Sequence, residues 1–148
     1  MTDDVLSLHA AVTSIMRALK IAEKHIQVAH RELNFVTADI ETMRFVANNP
    51  GCKLSDLADY LDAVPTTASS IVDRLVERGF VLRERPETNR RSVALSLTSA
   101  GSEAFTLIDA EEKATMRLML DALPEDDRAA FVRSMTRIAK SVSSPEGA

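Results

Sequence analysis

A mainly helical fold with one small β-hairpin is what this sequence predicts, and three observations predict it. Residues 55–61 and 65–79 read as a short helix and a longer one, separated by a tight break at Asp62, Ala63 and Val64. Behind the second helix, Val81 and Leu82, then Val93, Leu95 and Leu97, read as two strands around a turn at 86–90. Toward both ends of the chain, apolar residues recur in steps of three and four, which marks long amphipathic helices.

The elements follow in order. The first helix carries Val5, Leu8, Val12, Ile15, Leu19, Ala22, Ile26 and Ala29, one apolar seam of coiled-coil type. Thr37 is the expected N-cap of a second helix through Ile40, Met43, Phe45 and Val46, which Asn48, Asn49, Pro50 and Gly51 end. Ser55 is the expected cap of the third. Asp56 in its first turn favours the helix dipole, and Leu57, Ala58 and Leu61 are its buried face. Pro65 suits the first turn of the fourth helix, where its missing N–H would have no intrahelical partner. Ala68, Ile71, Val72 and Leu75 form that helix's apolar stripe, and Gly79 stops it. Thr98 is expected to cap a helix over residues 99–122, roughly 35 Å long at ~1.5 Å per residue. Pro124 opens the last helix, where Phe131, Met135, Ile138 and Val142 recur by four, three and four, and residues 143–148 read as a frayed tail.

The architecture that results is mainly α with a small β-hairpin wing (α+β): a winged helix-turn-helix lobe at 35–98 and dimerisation helices at 3–31 and 99–143, within one domain over 1–148. The end helices have more apolar surface than so small a lobe can cover. Pairing with a second copy is the economical solution, and the expected dimerisation residues are Val5, Leu8, Val12, Ile15 and Leu19 with Phe131, Met135 and Ile138. A two-fold homodimer would set two reading helices about one DNA turn apart, ~34 Å.

Composition narrows the function. The chain has 148 residues, 45% hydrophobic and 27% charged, as a soluble globular protein does. No apolar run is expected to approach a membrane span, and the acidic start Met-Thr-Asp-Asp is unlike a secretory signal, so no membrane partner is expected. A single cysteine, Cys52, excludes an intramolecular disulfide and suits a reducing cytoplasm. It is expected in a loop, with no second cysteine to resolve a sulfenic acid, so its expected role is structural. The formal net charge of −4 argues against a whole-molecule polyelectrolyte binder. Charge is nonetheless uneven: between residues 65 and 92, Arg74, Arg78, Arg83, Arg85, Arg90 and Arg91 face only Asp73, Glu77, Glu84 and Glu87. A modestly basic face on an acidic body suffices for double-stranded DNA, because phosphate affinity follows local charge.

Two functions from other classes compete with this reading. An enzyme would need a constellation that is missing. His9, His25 and His30 are all expected on the first helix, without a His-Glu-x-x-His spacing, and the chain has neither nucleophile elbow nor phosphate-cradling glycine loop. No ligand cluster with metal spacing stands out, so neither metal nor cofactor is expected. A winged-helix module that binds protein instead of DNA is the second competitor. The paired arginines at the wing tip speak against it.

The block from about residue 35 to 105 resembles the MarR family of bacterial winged-helix regulators. The likeness rests on Leu-Ser-Asp-Leu-Ala-Asp-Tyr-Leu at 54–61, Ile-Val-Asp-Arg-Leu-Val-Glu-Arg-Gly-Phe-Val at 71–81, and Asn-Arg-Arg-Ser-Val-Ala-Leu-Ser-Leu-Thr at 89–98. It implies a homodimer that represses or activates transcription at a pseudo-palindromic operator, often released by a small aromatic or phenolic effector. By position it assigns Thr66, Thr67, Ser69 and Ser70 to the major-groove face, and Arg90 with Arg91 to the wing that reaches the minor groove. Pro65 and Arg74 on the same helix, and Asn89 beside the wing arginines, complete the expected DNA-binding set. Short hydroxyls can donate to phosphates or base acceptors, threonine methyls can touch thymine methyls, and an arginine in a narrow groove responds to its width and potential. Three positions depart from the family pattern. Asp62 stands where many relatives have glycine, and aspartate tolerates the left-handed conformation. Ser70 stands where relatives often carry arginine, which removes strong guanine readout there. Asn89 replaces the usual wing aspartate and loses its charge.

Overall fold

The computed structural model describes residues 3–85 and 93–143. Its helices are α1 (Asp3–Ala29), α2 (Thr37–Asn48), α3 (Leu54–Leu61), α4 (Pro65–Glu77), α5 (Ser99–Asp121) and α6 (Glu125–Ser143). Its strands are β1 (Cys52–Lys53), β2 (Val81–Glu84) and β3 (Ala94–Leu97). The chain divides into two compact units, residues 1–111 and residues 112–148.

The first unit holds the core. Ile40, Met43 and Val46 of α2, Leu57 and Ala58 of α3, and Ala68, Ile71, Val72 and Leu75 of α4 are buried, joined by Val81, Leu95, Ala104 and Ile108. In α2, α3 and α4 these buried residues belong to the apolar faces read from the sequence, with Phe45 and Leu61 of those faces half-buried at the edge of the core. Each aliphatic side chain fully removed from water contributes roughly 1.5–3 kcal/mol.

Three-strand pairing departs from the expected hairpin. The order is β1-β3-β2, all antiparallel, with Cys52 opposite Leu95, Val81 opposite Leu97 and Arg83 opposite Leu95. Cys52, expected in a loop, belongs instead to a strand. It is buried and follows Gly51, whose N–H donates to the Leu95 carbonyl at 2.8 Å. A two-residue strand has no alternation to read, and it exists only because β3 supplies a partner.

Helix ends correct two further expectations. Thr37 and Ser55 are the expected caps of α2 and α3, but the N-cap positions are Val36 and Lys53. Carboxylates three residues inside take the work. Asp39 accepts the Val36 N–H at 3.1 Å, and Asp56 accepts the Lys53 N–H at 3.4 Å. Thr37 lies inside the helix, its hydroxyl donating to Glu23 of α1 at 2.6 Å. Thr98 does cap α5, since its hydroxyl oxygen accepts the Gly101 N–H at 3.0 Å. The same hydroxyl donates to the Gly79 carbonyl at 2.6 Å. Gly101 sits where a Cβ would run into the Phe80 carbonyl, so only glycine lets α5 dock on the turn after α4.

The terminal helices contrast with this core. In α1, residues 3–18 are exposed throughout, Val5, Leu8, Val12 and Ile15 among them, and Leu19 is half-buried. In the second unit, α6 has no buried residue: Phe131 is half-buried, and Met135 and Ile138 are exposed. The expectation that no run approaches a membrane span also needs correcting, because the helix stretch Asp3–Ile26 is long enough for one and contains an 18-residue window with a mean hydropathy of 1.3. Ala10, Ala11 and Ala18 raise the mean alongside the seam. A helix that packs on protein passes the same measure.

Candidate nucleic-acid interface

The helix pair α3 and α4 is set by its two ends. Asp62 adopts the left-handed conformation, φ 50° and ψ 45°, as expected of the residue that turns the chain between the helices. The Asp62 N–H then donates to the Asp59 carbonyl and the Ala63 N–H to the Ala58 carbonyl. The end of α4 repeats this scheme with Gly79 at φ 82°, Gly79 N–H to Val76 and Phe80 N–H to Leu75. Both stops satisfy carbonyls that would otherwise be orphaned, so α4 begins and ends at defined points.

Between those points α4 presents two faces. Ala68, Ile71, Val72 and Leu75 face the core. Pro65, Thr66, Thr67 and Ser70 are exposed at the start of the helix, and Ser69 is half-buried. The Ser70 hydroxyl donates to the Thr66 carbonyl at 3.0 Å, which spends its proton within the helix. What Ser70 then offers outward is an acceptor, suited to an amino group on a base edge.

Beside Ser69 lies a cleft of about 410 Å³, lined by Lys53, Ser55, Arg83 and Arg85 along with Leu54, Val93 and Leu95. Three of its lining side chains are cationic. Arg83 also pairs with Asp73 at 2.6 Å. Lys53 has no signal of its own in the sequence, because its neighbourhood with Ser69, Arg83 and Arg85 depends on β1 pairing with β3. The local excess of arginine between residues 65 and 92 is the signal that points to this cleft.

The remaining expected residues divide. Arg74 is turned onto Asp39 of α2, a carboxylate that is almost wholly buried. Asn89, Arg90 and Arg91, the expected wing tip, lie outside the described residues. Behind the interface, Tyr60 stacks on Phe45 at 4.8 Å and donates to Glu41 at 2.8 Å. Burial, then that bond to a carboxylate, push the Tyr60 phenol up. Burial, then the neighbouring Asp56 carboxylate, push the Cys52 thiol up, which makes it a poorer nucleophile at neutral pH.

Comparison with known proteins agrees with this geometry. Residues 38–93 match the MarR family model. A protein of Thauera aromatica named as a putative transcriptional regulatory protein for the hcr operon is 30% identical over 99 residues, 65% of this chain and 58% of that protein. The chain thus spans little more than half of that relative's length. The repressor MdtR of Bacillus subtilis is 25% identical over 146 residues, 99% of this chain and 90% of its own. Among solved structures, Streptococcus pneumoniae FabT in complex with DNA superposes with a TM-score of 0.82 at 21% identity, covering 92% of this chain and 95% of that one. These relatives are regulators rather than enzymes. With the helix pair, the wing strands and the matched segment in agreement, residues 38–93 match the MarR family and carry its winged helix-turn-helix fold.

Proposed function

We propose that the chain works as a homodimer that reads a pseudo-palindromic operator in double-stranded DNA, represses from it, and is released by a small aromatic or phenolic effector. The observation that carries the reading is the two-sided α4. Its apolar stripe is buried, and its first turns present Thr66, Thr67 and Ser70 outward. In this reading the hydroxyls meet base edges in the major groove, while Arg90 and Arg91 enter the adjacent minor groove from the wing. The likeness to a DNA-bound FabT supports this docking, and MdtR, a repressor, supports the direction of control.

Dimerisation rests on the apolar seam of α1, exposed from Val5 to Ile15, and on the stripe of α6, where Met135 and Ile138 are exposed. Exposed apolar surfaces of this kind mark interaction sites, and a two-fold pairing would cover both. The effector reading has a narrower basis. A cavity lined by Ile26, His30, Leu33, Phe35, Ile40 and Ile108 has a volume of only about 10 Å³, room for one water molecule. The Nε2 of His30 is buried there without a partner among the described residues. A phenol would have to open this space, and its hydroxyl would then satisfy His30.

A fluorescence titration of the chain's own upstream DNA against unrelated duplex of equal length tests the function. The proposal expects a preference of ~10³-fold or more at physiological salt, the low end for specific regulators. Equal binding to both duplexes would refute it.

A further inference from the structure

We infer that Arg74 and Arg78 are positioning residues: Arg74 latches α4 to the first turn of α2 and Arg78 latches it to the linker before α2, setting the angle at which the reading helix meets DNA, and neither contacts phosphate. This rests on the DNA-reading role proposed for α4. The two arginines stand four residues apart and so lie one above the other on the helix. An i, i+4 row drifts by ~40° per step around a helix of 3.6 residues per turn. The row that starts at Thr66 and Ser70 on the outward face therefore reaches the flank at Arg74 and the edge of the buried stripe at Arg78.

Each arginine is committed there. The Arg74 guanidinium pairs with Asp39, whose other carboxylate oxygen accepts the Val36 N–H at 3.1 Å. One buried carboxylate thus starts α2 and holds the reading helix. Arg78 donates to the Leu33 carbonyl and, at 3.2 Å, to that of Asn34. Its guanidinium lies over Phe35 at 4.8 Å and Phe80 at 5.2 Å, and those two rings meet edge to face at 4.9 Å. Asn34 is left-handed, φ 47°, which makes the bend that presents both carbonyls to Arg78.

The chemistry separates a latch from a DNA contact. The Arg74 guanidinium, neutralised by a buried carboxylate, and the Arg78 guanidinium, whose donors are taken by two backbone carbonyls, release no counterions from DNA in this arrangement, so they add nothing to the salt dependence of binding. What it fixes is orientation, and orientation matters only where bases are read. Without the latch, operator affinity should fall while affinity for unrelated DNA and the salt slope stay unchanged. Removing a cation that neutralises a phosphate should lower both affinities and reduce the slope by about one for each phosphate.

The test uses charge-conserving changes in the full chain: the pair Arg74→Gln with Asp39→Asn, and separately Arg78→Lys. Operator and unrelated DNA are titrated at several salt concentrations, with hydrogen exchange of residues 33–39 followed on the free protein. The latch predicts at least a tenfold loss of operator affinity in each variant, an unchanged slope, and faster exchange at Val36. A reduced slope, or operator preference intact in a folded variant, overturns it. Should the Gln/Asn pair fail to fold, Arg78→Gln, which removes the cation that Arg78→Lys keeps, decides by its slope: unchanged for a latch, lower by about one for a phosphate contact. If the wild type itself prefers no DNA, the proposed function fails, and slow exchange retained in both variants would remove the latch as well.

Discussion

The reading lobe and the terminal helices use similar apolar patterns to opposite ends. In the lobe, the stripes of α2, α3 and α4 close on one another, and Met43, Leu57, Leu75 and Leu95 are wholly buried. In α1 and α6 the same three-and-four spacing leaves Val12 and Ile138 exposed. The difference teaches that periodicity identifies a buried face without saying what buries it. In the lobe the chain supplies its own cover, whereas a second copy is proposed to do so at the ends. With that pairing, stability of the whole would be tied to protomer concentration, as it is for obligate dimers.

Charge placed on the bare seam should break that contrast most sharply. A two-fold interface doubles each substitution, so Val12→Asp or Ile138→Asp should cost roughly 3–6 kcal/mol of dimerisation, from ~1.5–3 kcal/mol per buried side chain. Sedimentation would then find monomer where the wild type is dimer. Tight dimers in both variants would place the interface elsewhere. In the lobe, Met43→Ala should destabilise folding by about 2–5 kcal/mol with no change in subunit affinity per folded protomer, read by denaturant melts at several concentrations. Gly101→Ala comes next, at about 1–3 kcal/mol, because the added methyl must push the Phe80 carbonyl away and loosen the α5 cap. A melting curve matching the wild type would show that α5 docks without that close approach.

The smallest effect is expected at Cys52. Its folded thiol holds a proton to higher pH than the unfolded thiol does. The associated stability is therefore present below the unfolded value and lost as pH rises through the folded one. Alkylation at neutral pH should be slower in the folded protein than in denaturant, and should accelerate only above the ordinary thiol range of ~8.5. A folded protein that reacts faster at pH 7 would identify a reactive thiolate instead.

Much of this is legible in the sequence, for local reasons. The helices announce themselves through spacing, and Gly79 and Asp62 mark stops because few residues accept positive φ. What escapes depends on distant partners. β1 is two residues long and becomes a strand only against Leu95. Thr37 and Ser55 are good caps by residue type, but Asp39 and Asp56 do the capping from inside, with no hydroxyl at the N-cap itself. Arg74 reads as part of the DNA face because it is cationic and on the right helix. Its carboxylate partner is 35 residues away, and no local pattern shows it.

The most direct test of the central claim, that α4 reads base edges while the wing supplies charge, is a salt series of DNA titrations with Thr67→Ala beside Arg90→Ala. Thr67→Ala should erode operator preference by about 1–3 kcal/mol and keep the slope. Arg90→Ala should weaken operator and unrelated DNA alike and flatten the slope by about one unit for each phosphate no longer neutralised. Unchanged affinity and slope for Arg90→Ala, together with unchanged preference for Thr67→Ala, would contradict the account.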